Sequence, residues 1–174
     1  MARRTRLRRR RHTRRSSARS RQRGGQGSCN VSWYNSIPVE HVSIINESLN
    51  TEFVGVEPAE LVHANRCGVL ATTPDGELAA YTIIDKNRGQ CWYIQWLTTL
   101  PAHRGRGLAG QMIEVVKAQP HSCTMLHVAP NSVASRIYAA AGFRKTGRIK
   151  PMTDDQGVAI QMEEMDNYPL IRNQ

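Results

Sequence analysis

The stretch Leu97 to Gln111, LTTLPAHRGRGLAGQ, constrains this chain more than any other. An apolar and aromatic run from Cys91 to Leu97 reads as a strand, and Pro101 ends it. Arg104-Gly105-Arg106-Gly107 then turns the chain, and a helical pattern starts at Leu108. Glycine has no Cβ, so the backbone there can approach an anion closely. The first helical turn offers N–H groups without intrahelical partners, and the helix dipole adds partial positive charge. Strand, turn and helix together predict a cradle for a diphosphate, to which Arg104 and Arg106 add formal charge. A Walker loop needs Lys-Ser/Thr after its last glycine; Leu108-Ala109 stands there, which argues against an NTPase. Gly105, Gly107 and Gly110 have the dinucleotide spacing, but no acidic residue follows about 20 residues on to hold a ribose. The competing reading of the stretch by itself is a plain glycine-rich turn with solvated arginines.

Charge divides the chain in two. Residues 1–28 hold 12 arginines and no Asp or Glu, so the 24 basic residues of the whole chain leave 12 for residues 29–174, against all 14 acidic ones. The chain is therefore a basic arm and linker (1–28) followed by a near-neutral body (29–174), and the body is long enough for one domain with its own core. The arm has too few apolar residues to offset ordering entropy, so disorder is expected, with Gly24, Gly25, Gly27 and Ser28 as a flexible linker. Arginines this dense bind polyanions through phosphate backbones, which makes nucleic acid a candidate partner through residues 3–23. A nuclear or organellar address is a second use of such a segment, and a solubilising tail a third. No apolar h-region follows the charges, as a secretory signal would need.

The body alternates helix and strand patterns. Asn30–Tyr34 reads as a strand, Pro38 opens a helix, and Pro58 opens another. Strands are expected over Gly68–Thr73, Leu78–Asp85 and Gln90–Thr98, with turns at Pro74-Asp75-Gly76 and Asn87-Arg88-Gly89. A helix over Gly107–Ala118, a strand over Thr124–Val128, a helix over Ser132–Ala141 and strands over Phe143–Ile149 and Val158–Met165 complete the order β-α-α-β-β-β-α-β-α-β-β. The fold class is α/β, a mixed central sheet of six or seven strands with flanking helices.

Four stretches point to one family. Arg104-x-x-Gly107-x-Ala109 fits a pyrophosphate loop of the form Arg/Gln-x-x-Gly-x-Gly/Ala. Leu97-x-Thr99-x-Pro101 precedes it where the pattern has apolar-x-Val-x-Pro, with Thr for Val. Val128, Asn131, Ala134, Tyr138, Gly142 and Phe143 follow Val-x-x-x-Asn-x-x-Ala-x-x-x-Tyr-x-x-x-Gly-Phe without a gap. Asp155-x-Gly157 leads to a closing strand at Met162. Over roughly residues 30–165 the chain resembles the GNAT superfamily of acyl-CoA-dependent N-acetyltransferases, and the element order is that of the GNAT fold.

The resemblance implies acetyl-CoA as co-substrate and a primary amine as acceptor. It places the pyrophosphate on the amides of Arg104, Gly105, Arg106, Gly107, Leu108 and Ala109. The pantetheine arm would lie in a gap between the fourth and fifth strands, paired with backbone at Leu97 and Thr99. It makes Tyr138 the acid that protonates the leaving thiolate, and Asn131 a cofactor contact. A helix cap is an equal reading of Asn131, and a core position is the alternative for Tyr138. The amine must also lose a proton. Many relatives use a fourth-strand Glu, which is missing here, so His127 on the fifth strand is the candidate base, with Asp85 or a water held by Gln95 behind it. A packed strand histidine is the competing reading of His127.

Cys29, Cys67, Cys91 and Cys123 are far apart, with no Cys-x-x-Cys and no histidine at ligand spacing, so no metal site is expected. They suggest a reducing, intracellular setting, cytoplasmic or nuclear. No apolar run approaches the length needed to span a membrane. Beside the acetyltransferase reading stands another: a nucleic-acid-binding or packaging protein whose GNAT-like body is inactive, for which the missing fourth-strand carboxylate speaks; similar arginine arms, alike in composition only, open the coat proteins of many small RNA viruses.

Overall fold

The computed structural model describes residues 28–52, 61, 65–153 and 159–168. The arginine-rich arm, most of the segment opened by Pro58, and Asp155-x-Gly157 lie outside them. The described elements run β1 (Asn30–Tyr34), α1 (Val39–Glu52), β2 (Arg66–Thr72), β3 (Leu78–Asp85), β4 (Trp92–Thr99), α2 (Leu108–Lys117), β5 (Thr124–Val128), α3 (Val133–Ala140), β6 (Arg144–Thr153) and β7 (Ala159–Asp166). A short 3-10 turn at Pro101–His103 separates β4 from α2.

The seven strands form one mixed sheet in the order β1-β2-β3-β4-β5-β7-β6. Every neighbouring pair is antiparallel except β4 and β5, which the α2 crossover makes parallel. The centre of the sheet is covered on both faces, so β3 is buried from Leu78 to Ile84 and reads as a continuous apolar run. On one face α1 brings Ile45 and Leu49 onto Leu70, Leu78, Tyr81 and Ile83. On the other, Leu108, Met112, Ile113 and Val116 recur at helical spacing along α2 and pack on Val69, Ala71, Ala80, Ile84 and Ile94. Gly68 allows β2 to sit close: a Cβ there would stand 2.2 Å from Thr82 O and 2.9 Å from Ile37 Cδ1.

Two local expectations shift. Strand β6 runs on through Lys150 and Pro151 to Thr153 rather than stopping at Ile149. It is a sheet edge with one partner, β7, and an edge tolerates proline. The N-cap of α3 is Ser132, whose side chain accepts a hydrogen bond from Ser135 N–H at 3.1 Å. Asn131 is therefore not the cap; it stands one residue earlier in the left-handed region, φ 60°. At the other end of α3, Gly142 N–H donates to Ala139 O and Phe143 N–H to Tyr138 O. That crossed pair is a Schellman closure, with Gly142 left-handed at φ 92°.

The cysteines also differ from expectation. Cys91 and Cys123 are joined by a disulfide, while Cys29 and Cys67 are free. Sequence distance hides the contact, because the α2 crossover returns the chain beside the start of β4. The bond sits next to the only rungs that join β4 to β5 among the described residues, Trp92↔Thr124 and Tyr93↔Met125. Trp92 is stacked there between Trp33 and His121, at 5.4 and 4.4 Å between ring centroids.

Candidate active site

The loop before α2 has the geometry of an anion cradle. Gly105 and Gly107 both take left-handed backbone, φ 76° and 74°. Gly107 is the N-cap of α2 and supplies no side-chain cap. The first backbone bond of the helix is Gln111 N–H to Gly107 O at 3.2 Å. Among the described residues, no protein group takes up the N–H groups from Gly105 to Gly110. They are gathered at a positive helix end, which suits a diphosphate. The two arginines of the loop are not equivalent. Arg104 is turned back: its Nε donates to Thr99 O at 3.0 Å and its Nη2 pairs with Glu52 at the end of α1. Arg106 carries no such ion pair among the described residues, so it is the free cation of the loop.

A gap opens beside the cradle. β4 and β5 pair at two positions only and then part, which leaves the β5-facing edge of β4 open from Ile94 to Thr99 among the described residues. Leu100 N–H donates to Ala79 O at 2.9 Å, continuing the β3–β4 register Ala80↔Thr99 and Thr82↔Leu97. Antiparallel alternation then puts Thr99 and Leu97 at the non-bonded positions, where N–H and C=O turn away from β3 and into the gap. Arg104 holds the Thr99 carbonyl, so among the described residues Leu97 and the Thr99 N–H remain available. One residue of β4, Gln95, is extra in the register between Ile94 and Trp96, a β-bulge that bends the strand at this point. Its Oε1 is buried without a hydrogen-bond partner among the described residues. An extended polar chain with alternating amides fits this edge, much as an added strand would.

Three aromatic or imidazole groups converge near the base of the gap. Tyr138 on α3 is buried, edge-on to Phe143 at 5.6 Å between centroids. Its hydroxyl makes no hydrogen bond within the described residues. Burial pushes its pKa far up, and Tyr93 pushes it further, so the phenol keeps its proton. His127 on β5 meets Tyr93 on β4: the Tyr93 hydroxyl lies 3.1 Å from His127 Nδ1. Burial lowers the His127 pKa first and Lys150 lowers it next; Glu164 opposes them. The ring is therefore neutral at neutral pH and can accept a proton. Burial raises the Tyr93 pKa, so this phenol also stays protonated. Asp85 is engaged by Arg66 and Arg88, at 3.4 and 3.5 Å. Asn131 is exposed and lines a separate cavity of about 500 Å³ with Ser135, Arg136 and Lys145.

The model of the Acetyltransferase (GNAT) family matches residues 32–143, a span that holds the cradle, the open edge of β4, His127 and Tyr138. The chain belongs to the GNAT acetyltransferase family. Enzymes of this family are N-acetyltransferases acting on amines, with acetyl-CoA as co-substrate. Solved structures share the fold. Arabidopsis thaliana NAA60 in complex with acetyl-CoA superposes with a TM-score of 0.67 at 18% identity, over 81% of this chain and 98% of that one. The spermidine N-acetyltransferase of Vibrio cholerae gives 0.68 at 15% identity, over 84% and 99%. The ribosomal-protein-S18-alanine N-acetyltransferase of Escherichia coli gives 0.65 at 14% identity, over 84% and 98%. Among curated protein sequences none matches.

Within this GNAT site, Tyr93 and Glu164 are the residues that sequence reasoning missed. Tyr93 lies in Trp-Tyr-Ile-Gln-Trp, where an aromatic is indistinguishable from a core position. Glu164 sits in a closing strand that carries three acids within four residues, and nothing in the spacing singles it out.

Proposed function

We propose that this protein transfers the acetyl group of acetyl-CoA to a primary amine by direct attack in a ternary complex. One observation carries the reading: the two-rung β4–β5 junction opens into a gap with free amides at one end and the Tyr93–His127 pair at the other. The amides of Gly105 to Gly110 and the Arg106 guanidinium hold the pyrophosphate, and Leu97 with the Thr99 N–H pairs the pantetheine arm. Tyr93 accepts a proton from the attacking amine as its own hydroxyl proton passes to His127 Nδ1. The phenol is too weak an acid to act as an anion, so it works as a shuttle and His127 is the base. As the C–N bond forms and the C–S bond breaks, Tyr138 gives its proton to the leaving thiolate. A thiolate is a good leaving group, so a weak acid in the right place suffices.

The test is calorimetric titration of acetyl-CoA into the full chain, with thiol release followed over three acceptors. These are a peptide with a free N-terminus, an N-blocked lysine peptide, and spermidine. Binding with release for at least one acceptor, lost in His127→Gln and strongly reduced in Tyr93→Phe, is the expected result. Absence of acetyl-CoA binding would refute the reading.

We infer further that residues 3–23 tether the enzyme to a polyanion, since the first 28 residues carry 12 arginines and no acid. Binding of single-stranded RNA should fall steeply with salt in the full chain and vanish on deletion of residues 1–28. Binding that is equal with and without the arm would overturn this.

A further inference from the structure

His127 has two ring nitrogens, and the proposed base chemistry uses one. On the far side, its Nε2 lies 3.8 Å from Glu164 Oε2. The two residues are direct partners in the β5–β7 ladder, so their side chains stand on the same face of the sheet. Both are nearly closed to solvent, with side-chain exposures of 12% and 9%. Glu164 is one of few buried polar residues, and a buried carboxylate is unfavourable unless it is held and paired. It is held. Its Oε1 accepts from Thr146 Oγ1 at 2.9 Å and faces Arg148 Nη1 at 3.4 Å. Both partners come from an irregular stretch of β6, where the register with β7 jumps between Lys145 and Ile149 and Gly147 is left-handed at φ 83°. That irregularity fixes one carboxylate oxygen and leaves the other for His127.

We propose that Glu164 is a positioning residue for His127. It selects the tautomer protonated on Nε2, so that Nδ1 is the acceptor for the Tyr93 hydroxyl proton, and it faces the positive charge formed when Nδ1 takes that proton. The inference rests on reading Tyr93–His127 as the base. The proton leaves Tyr93 Oη and binds Nδ1, Nε2 keeps its own, and Glu164 remains a carboxylate throughout. Among the described residues, the charged groups acting on His127 are Lys150 from β6 and Arg88 from the β3–β4 turn, both cations, and Glu164 from β7. The uncharged Tyr93 hydroxyl comes from β4. Without Glu164, an imidazolium here would meet only like charge among the described residues, and His127 would be a weaker base.

The full chain with isotope-labelled histidine tests this by NMR, with His127→Gln assigning the signals. In the wild type, neutral His127 should be the Nε2–H tautomer. In Glu164→Gln it should mix tautomers and titrate about 1 pH unit lower. The acid limb of the acetyl-transfer rate should move down with it, and kcat should fall about three- to tenfold at an unchanged KM for acetyl-CoA. Glu164→Asp should restore part of the rate. Should Glu164→Gln not fold, Thr146→Val frees the carboxylate more gently and should show the same changes in smaller measure. An Nδ1–H tautomer in the wild type, or an unmoved tautomer and titration in both variants, would overturn the proposal. The NMR signals are read without substrate, so they separate this pairing from the base reading. Full activity in His127→Gln would sink the base reading, and the catalytic half of the proposal with it.

Discussion

Replacing Gly107 with alanine isolates the backbone of the cradle. Gly107 has φ 74°, and a Cβ placed there meets nothing within 4 Å among the described residues. Crowding is thus absent, and the penalty is that of a left-handed L-residue, about 1–2 kcal/mol. The free protein has two ways to meet it. It can keep the geometry and lose that much stability, or relax the loop, keep its stability and turn the amides away. In the second case acetyl-CoA must restore the left-handed turn when it binds. From the unfolded chain to the acetyl-CoA complex, the total penalty is the same by either route. Unfolding in urea with saturating acetyl-CoA should therefore show a loss of about 1–2 kcal/mol, with Tm lower by about 2–8 °C. The Kd shows how the penalty divides, from unchanged to weaker by about 5- to 30-fold. Gly110 gives the control: it lies inside α2, a Cβ there also meets nothing within 4 Å among the described residues, and alanine there should stabilise by up to about 1 kcal/mol. A Gly107→Ala complex as stable as the wild-type complex would refute the argument that left-handed glycine shapes the site.

Other consequences follow from the same geometry. Arg106→Ala should weaken acetyl-CoA several-fold and flatten its salt dependence, whereas Arg104→Ala, whose charge already faces Glu52, should do so less; calorimetry at two ionic strengths separates them. Reducing Cys91–Cys123, 32 residues apart, should lower stability by about 3–4 kcal/mol in the loop-closure model, read from urea midpoints with and without dithiothreitol. His127 has a depressed pKa, so the acid limb of kcat/KM should lie below the ordinary histidine value of about 6.5, and transfer should persist through pH 6.5 before failing. The same group lowers stability as pH falls from about 6.5 through its folded pKa, because the unfolded chain binds the proton first.

Most of the fold was written in local patterns. The limits of β1, β3 and β5 coincide with those read from the sequence, because alternation, buried runs and turn residues are local signals. The cradle was legible for the same reason: two glycines, a strand before and a helix after lie within fifteen residues. Leu97 and Thr99 were legible as positions of a motif, although their outward-facing backbone depends on the β3 register. What tertiary structure alone decided was every relation across the sheet. Placing β5 beside β4 for two rungs created the gap, brought Cys91 to Cys123, and set Tyr93 against His127. Inserting β7 between β5 and β6 put Glu164 opposite His127, 37 positions along the chain by the numbering of the register. Tertiary structure also showed that Arg104 serves the scaffold while Arg106 has no ion pair among the described residues, a distinction that two arginines in one motif cannot reveal. Backbone preference is set by neighbours in sequence, whereas a site of this kind is set by neighbours in space, and only the strand order turns one into the other.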